Sequence, residues 1–426
     1  MKLRAGYGEV GNQASIPLFR YQALYAGNFA ANVNGGGNDN LGYPFNKIYQ
    51  NGIAQVTPAN PNLKWETDKQ TDIGVDAAFL RGALTVTIDW YQRDSKDFLL
   101  NIPSSPQTGY SFITRNVGSM RNTGVEFAVN YNGSKGRDFH YSIGATLSSN
   151  KNKLTSITSG ISALTSSNFG YGLNGQGWGD FSNSVIGEQV GEFYGYKSLG
   201  IFQTQAQIDA LNVKAPGGIY YRAATKPGDR YFADINGDGV VNANDRISLG
   251  SPQPKFFGGL NLDANYKSWD VNLYFYGVFG NKLLNYIESD LESFQKRGSE
   301  GVENVSVKYF ENHWTPTNPS NTYARALAND DNTLNNVPSS AWIENGSFVK
   351  LKNLTIGYTL PTRIATKFNL SKLRAYISTQ NLFTITKYTG LDPEIGIQNG
   401  NPIFNGVDNG TYPSSKFFTF GLNVTF

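Results

Sequence analysis

KFFTFGLNVTF, residues 416–426, places Phe418, Phe420, Leu422, Val424 and Phe426 at every second position. Strict period two specifies a strand with one wholly apolar face. Ending on an aromatic residue suits a lipid-facing barrel strand, whose aromatics lie at the membrane boundary, better than a strand of a soluble sandwich. Alternation in one segment is a weak signal, so the fold depends on whether the rest of the chain repeats it.

It does. Ile73, Val75, Ala77 and Phe79 alternate, and beyond the short Leu80-Arg81-Gly82 turn the pattern resumes at Leu84, Val86, Ile88 and Trp90. Val125, Phe127, Val129 and Tyr131 lead through residues 132–136 to Phe139, Tyr141, Ile143, Ala145 and Leu147. Leu260, Leu262, Ala264 and Tyr266 turn at Lys267-Ser268 into Val271, Leu273, Phe275 and Phe279. Leu354, Ile356, Tyr358 and Leu360 precede Pro361, Leu373, Ala375 and Ile377 follow it, and Leu3, Ala5 and Tyr7 suggest one more strand. These are hairpins with apolar faces.

The connections sort into two lengths. Turns near residues 81, 134, 267 and 365 are short, whereas those near 9–70, 100–118, 155–254, 282–341 and 387–415 are long and rich in Gly, Asn and Ser. Short and long alternate strictly, as the tight periplasmic turns and extended extracellular loops of outer-membrane barrels do. The expected fold is therefore all-β, with antiparallel transmembrane β-barrel strands forming a partial barrel of about ten strands with long extracellular loops. Phe426 then falls on the periplasmic side. The competing reading is a calcium-dependent soluble β-sandwich binding module or surface adhesin, which would not require that regularity.

Composition agrees with many turns and strands: the 426 residues include 47 Gly, 25 Tyr and 27 Phe but only 2 Met. No cysteine is present, which excludes disulfides and thiolate metal sites, and His140 and His313 are too few for a multi-histidine zinc cluster. A formal charge of +3 gives no reason to expect nucleic acid as a partner. No apolar run approaches the roughly 18 residues of a spanning helix, so strands must make any membrane crossing. The opening MKLRAGYGEVGN lacks the apolar core of a signal peptide.

The clearest chemical motif lies inside the excursion at 155–254. In residues 234–245, Asp234, Asn236, Asp238, Asn242 and Asp245 supply side-chain oxygens at positions 1, 3, 5, 9 and 12. Gly239 stands at position 6, and Val240 offers its carbonyl at position 7. Calcium takes six to eight hard oxygen ligands, and this spacing is that of an EF-hand-type loop. Asp245 replaces the usual glutamate, and Pro227-Gly228-Asp229 argues against an entering helix. The segment resembles the isolated calcium loop of dockerin modules; the plain alternative is an Asx-rich turn.

Catalysis has no comparable support. Asp180, Glu188 and Glu192 are close in sequence, but loop acids are usually solvated, and no nucleophile-base pattern occurs. The chain is not expected to be an enzyme. Tyr171, Trp178, Trp314, Tyr323 and Trp342 are loop aromatics able to stack on sugar rings or peptide side chains, or to pack the loops together.

Several stretches taken in order resemble the SusC/RagA-like TonB-dependent transporters of the Bacteroidota outer membrane. They are NPNLKWET at 60–67, NVGSMRNTGVEF at 116–127, GEFYGYKSLGIFQT at 191–204, PGDRYFADINGDGVVNANDR at 227–246 and LGSPQPKFFGGL at 249–260. HWTPTNPSNTYARA at 313–326, GSFVKLKNLTIGYTLP at 346–361, QNLFTITKYTGLDPE at 380–394 and the terminal strand complete the series. The resemblance implies a 22-stranded barrel importing oligosaccharides or peptides, an N-terminal plug, a SusD-like lipoprotein as extracellular lid, and energy through TonB. Residues 1–426 match only the C-terminal part of that pattern, without plug, TonB-contacting segment or signal peptide. The expectation is thus a fragment beginning in mid-barrel.

Overall fold

The computed structural model describes residues 1–13, 19, 21–26, 29–30, 38–39, 42–46, 48–51, 54–103, 106–110, 112–158, 161–166, 180–292, 296–297, 301–302, 304–327, 335–397 and 402–426. Ten strands form one antiparallel sheet in sequence order: β1 (Lys2–Asn12), β2 (Glu66–Phe79), β3 (Leu84–Pro103), β4 (Phe112–Lys135), β5 (Phe139–Ile157), β6 (Phe256–Tyr266), β7 (Trp269–Phe279), β8 (Phe348–Thr359), β9 (Lys372–Thr386) and β10 (Phe417–Thr425). Every neighbour in the chain is a neighbour in the sheet. All ten strands expected from alternation are present, in one continuous sheet rather than the two stacked sheets of a sandwich.

Register sets the two faces. Leu3 stands opposite Val75, Val75 opposite Ile88, Ile88 opposite Phe127 and Phe127 opposite Leu147, an unbroken outward apolar row. On β10, Phe418, Phe420 and Leu422 are 60%, 79% and 68% exposed, so this face has no protein to cover it. Ten residue steps separate Phe256 from Tyr266, roughly 33 Å of strand. At a barrel tilt of about 40° that rises about 25 Å, the height of an outer-membrane apolar band.

An aromatic girdle closes the band at the short-turn end. Tyr131 and Tyr141 have ring centroids 5.9 Å apart, Phe139 and Tyr266 6.4 Å, and Trp269 and Tyr358 4.8 Å. Beyond the opposite end the outward residues become charged and pair off, Lys69 with Glu9 at 2.9 Å and Arg121 with Asp94 at 2.6 Å.

The inner face is predominantly polar. Arg4 donates to Asp76 at 2.8 Å, Asn122 accepts from Asn152 at 2.9 Å, and Asn272 donates to Asp263 at 2.7 Å while accepting from Asn353 at 2.9 Å. Side-chain amides and carboxylates satisfy one another across strands, as polar groups removed from bulk water require. Gly421 sits beneath Tyr376, where a Cβ would come within 2.2 Å of the ring, so glycine there lets the tyrosine lie along the wall.

Two expected loops are shorter than their composition suggests. β3 runs to Pro103 and β4 starts at Phe112, although 100–118 reads as a loop. These extensions rise above the apolar band, where neither face needs apolar residues, and so carry no alternation to detect. The 155–254 excursion likewise contains a four-stranded sheet (Leu164–Thr165, Ser182–Ser184, Glu192–Tyr196, Arg246–Gly250) and a helix, Gln205–Asn212, begun by a Thr204 capping box. Its core joins barrel strands to loops: Phe98, Val117 and Leu154 pack with Phe181, Phe193, Tyr286, Trp342 and Phe404. Full burial of one such large apolar side chain stabilises by about 1.5–3 kcal/mol.

Candidate functional site

The long connections meet around two carboxylates. Helix Tyr286–Leu291 begins at Asn285, whose side chain accepts from the Glu288 amide at 3.0 Å. Glu288 and Glu292, four residues apart, therefore share one face. Asn285 also donates to Glu344 at 2.7 Å, and Thr389 donates to the same carboxylate from its hydroxyl and its amide, both at 2.8 Å. A second short helix, Val307–Asn312, is capped by Ser306 and brings Lys308 to 3.5 Å from Glu288. From a third segment Arg230, on strand Arg230–Phe232, donates to Glu292 at 3.2 Å with its guanidinium 4.5 Å above the Trp342 ring.

Burial governs the electrostatics. Withdrawal from water pushes the Glu292 carboxyl up to about 8, against the opposing pull of Arg230. Glu288 is also raised, by burial first and by the nearby Glu344 carboxylate second. Arg230 is 5% exposed, and its Nε has no hydrogen-bond partner among the described residues. The guanidinium remains a cation, and the Trp342 face offsets part of its desolvation.

Two cavities open on either side of this pair. One, of about 270 Å³, is mainly apolar and lined by Ile287, Leu291, Leu391 and the Lys308 stem. The other, of about 320 Å³, is polar and lined by Arg230, Trp342, Ser198, Asn321 and Thr322. Glu288 and Glu292 border both. Each volume suits a small group, such as one sugar ring or one amino-acid side chain, rather than a whole oligomer.

The aromatics expected to contact ligand divide. Tyr171 and Trp178 lie outside the described residues. Trp314 is 9% exposed, packs with Ile201 and Ala324, and donates from its indole to Gln203 at 3.0 Å. Tyr323 is partly exposed beside the polar cavity, with Lys308 5.4 Å above its ring. Trp342 is buried, but it lines that cavity.

Residues 234–245 form a succession of Asx turns. Asp234 accepts from the amides of Gly237 and Gly239, each at 2.7 Å, Asn236 accepts from Asp238 at 2.9 Å, and Asp238 accepts from Val240 at 2.9 Å. Asp245 is fully buried and accepts from Ile235 at 2.9 Å and from Asn242 at 2.7 Å. Gly239, at φ +86°, makes the bend that its position implied. Among the described residues no three His, Cys, Asp or Glu side chains gather as a cation cage. The donor set nonetheless fits a hard cation: a carboxylate accepting two amide protons retains lone pairs for one.

Arg230, Glu288 and Glu292 escaped the sequence reading. The usable signal was local, Asn285 three residues before Glu288, an N-cap spacing inside a segment read as loop. Nothing in the sequence indicated Arg230 as their partner.

Comparisons with known proteins bear on the whole sheet. Residues 1–382 match the family model described as TonB dependent receptor-like, beta-barrel. TonB-dependent receptor P3 of Formosa agariphila is 33% identical over the full chain, which covers 39% of that relative. TonB-dependent receptor SusC of Bacteroides thetaiotaomicron is 28% identical, with 37% of it covered. Among solved structures, that of the RagAB peptide transporter superposes over the full chain with a TM-score of 0.73 at 24% identity, 40% of it being covered. The chain spans about two fifths of the length of each.

Proposed function

The chain belongs to the TonB-dependent receptor-like β-barrel family and is SusC/RagA-like within it, and from that premise we propose that it supplies ten wall strands of an outer-membrane importer of oligosaccharides or peptides. The observation that carries this reading is the sheet itself, apolar outward and hydrogen-bonded polar inward over ten consecutive strands. In this reading the long connections face the cell exterior, Phe426 lies on the periplasmic side, a SusD-like lipoprotein covers the loops, and TonB supplies energy. The two cavities beside Glu288 and Glu292 contact the cargo. RagAB is described as a peptide transporter and SusC as a TonB-dependent receptor, and both cargo classes present hydroxyls, amides or small apolar groups that such cavities accept.

The test is uptake by cells of the source organism carrying the full-length transporter, with either a peptide mixture or oligosaccharides as sole carbon source. Growth on one class should disappear when the gene is deleted and return on complementation. Unchanged growth on both classes would overturn the importer reading. Protease added to intact cells should cut within the largely exposed segment 213–219 of the 155–254 excursion and spare the 267–268 turn, and the reverse pattern would invert the orientation.

We further propose that residues 234–245 bind calcium in an extracellular, stabilising role. The ligand spacing and the spare lone pairs of Asp234, Asp238 and Asp245 support it. Occupancy would require those carboxylates to exchange part of their amide contacts for the cation.

A further inference from the structure

The short-turn rim carries a charge that the rest of the chain does not share. Segments 80–83, 135–138, 267–268 and 360–371 contain Arg81, Lys135, Arg137, Lys267, Arg363 and Lys367 against one acid, Asp138. That excess is larger than the +3 of all 426 residues. All six cations are exposed, and none is in an ion pair among the described residues. At the other edge of the apolar band Lys69 is held by Glu9 and Arg121 by Asp94.

Four of the cations also stand beside an apolar side chain that faces no protein. Arg81 follows Leu80, which is 67% exposed, and Lys267 lies between Tyr266 and Trp269, each 52% exposed, with its ammonium 5.4 Å from the Tyr266 ring. In the turn after Pro361 the chain forms a helical segment, Thr362–Ala365 continued by Thr366–Phe368 and stopped at Asn369 with φ +56°. Its Ile364 and Phe368 are 42% and 66% exposed, and Arg363 and Lys367 repeat at the same four-residue spacing on the adjoining face. Ala365, fully buried, turns toward the barrel. A short segment with one apolar and one basic stripe is built to lie in the plane of a bilayer interface.

We propose that the short-turn rim is a collar that binds the phosphate headgroups of anionic phospholipids in the leaflet it faces. This rests on the membrane-barrel reading above. The girdle of Tyr131, Phe139, Tyr266 and Trp269 holds the apolar edge at headgroup depth. The cations one residue or one turn beyond it then stand at the level of the phosphates. Charge selects the occupant: unpaired lysine and arginine side chains on flexible stems favour a headgroup of net negative charge over a zwitterionic one, by about fivefold for a single cation at an anionic surface. The preference weakens with salt, because exposed pairs are screened beyond about 3 Å at 1 M.

The experiment reconstitutes the full-length transporter in phosphatidylcholine vesicles and measures the motionally restricted fraction of spin-labelled phosphatidylglycerol and of spin-labelled phosphatidylcholine. The expected result is a three- to fivefold preference for phosphatidylglycerol at low salt, falling toward parity in 1 M salt. R363Q/K367Q, confined to the helical turn, should reduce the preference, and the six-site glutamine variant should abolish it. K69Q/E9Q, which neutralises an ion pair beyond the other edge of the band without changing net charge, should leave it unchanged. Equal association of the two lipids with the parent protein overturns the proposal and leaves an acidic soluble partner as the collar's occupant. So does a preference that survives in both collar variants. Failure of the parent to insert into any vesicle overturns the membrane reading itself, an outcome distinct from insertion without lipid preference.

Discussion

Nη2 of Arg230 lies 3.2 Å from Oε2 of Glu292, and the two side chains retain only 6% and 5% of their exposure. Glu288, Lys308, Tyr309 and Tyr323 contribute the surrounding charge and hydroxyls. Because burial raises the Glu292 carboxyl from 4.5 to about 8, the folded loop core binds a proton that the unfolded chain releases. Its stabilisation is therefore complete below about 4.5 and is lost as pH rises toward 8, at about 1.4 kcal/mol per pH unit. The hydrogen-exchange protection of residues 286–292 in the full-length protein, taken relative to the intrinsic exchange rate at each pH, should fall across that window, and Glu292→Gln should flatten the dependence. An equal slope in the variant would assign the titration elsewhere.

Lys350, 1% exposed, bridges Asp392 at 3.0 Å and Glu394 at 2.8 Å, tying the 387–397 loop to β8. Lys350→Met should cost about 3 kcal/mol of loop attachment, because Asp392 loses its cation in a buried site, while Glu394 keeps Lys352 at 2.7 Å. Limited proteolysis should then cut near the exposed Leu391. Adding Asp392→Asn and Glu394→Gln should restore most of the resistance, and no restoration would locate the loss in packing rather than charge.

Phe420 faces outward opposite Ile377, and Thr419 faces inward opposite Ser378. Phe420→Arg should destabilise the folded transporter in lipid by about 2–4 kcal/mol, the cost of a cation on the lipid face near the midplane. Thr419→Arg should cost clearly less, since the inner wall is polar. Denaturant titration of refolding into vesicles compares them, and similar costs would contradict the assignment of faces.

Calcium titration of the full-length transporter by calorimetry should show saturable binding that Asp234→Ala and Asp238→Ala weaken by tenfold or more. Asp245→Ala is a poorer test, because its carboxylate is fully buried and its loss would leave the Ile235 and Asn242 amides unpaired inside the fold. Identical isotherms for the parent and both of the first two variants would reduce 234–245 to an Asx-rich turn.

The ten strands, their order and their outward residues were legible in the sequence. Alternation is a local property with period two, and a face that meets lipid along its whole length must show it at Leu3, Ile88, Phe127 and Phe420 alike. The short turns were legible for the same reason, each being what remains between two alternating runs. The strand extensions at Phe98 and Val117 were not, since above the band burial follows contact with loops rather than with lipid.

The cavities belonged to tertiary structure alone. Arg230 and Glu292 are 62 residues apart, and neither Trp342 nor Glu344 is local to either. Their ionisation depends on how many loops converge to exclude water, a quantity that no spacing in one segment encodes. The sequence by itself determined the membrane wall, because lipid imposes the same demand on every strand. The assembled loops decided where charge is buried, because desolvation is a sum over neighbours brought together from the whole chain.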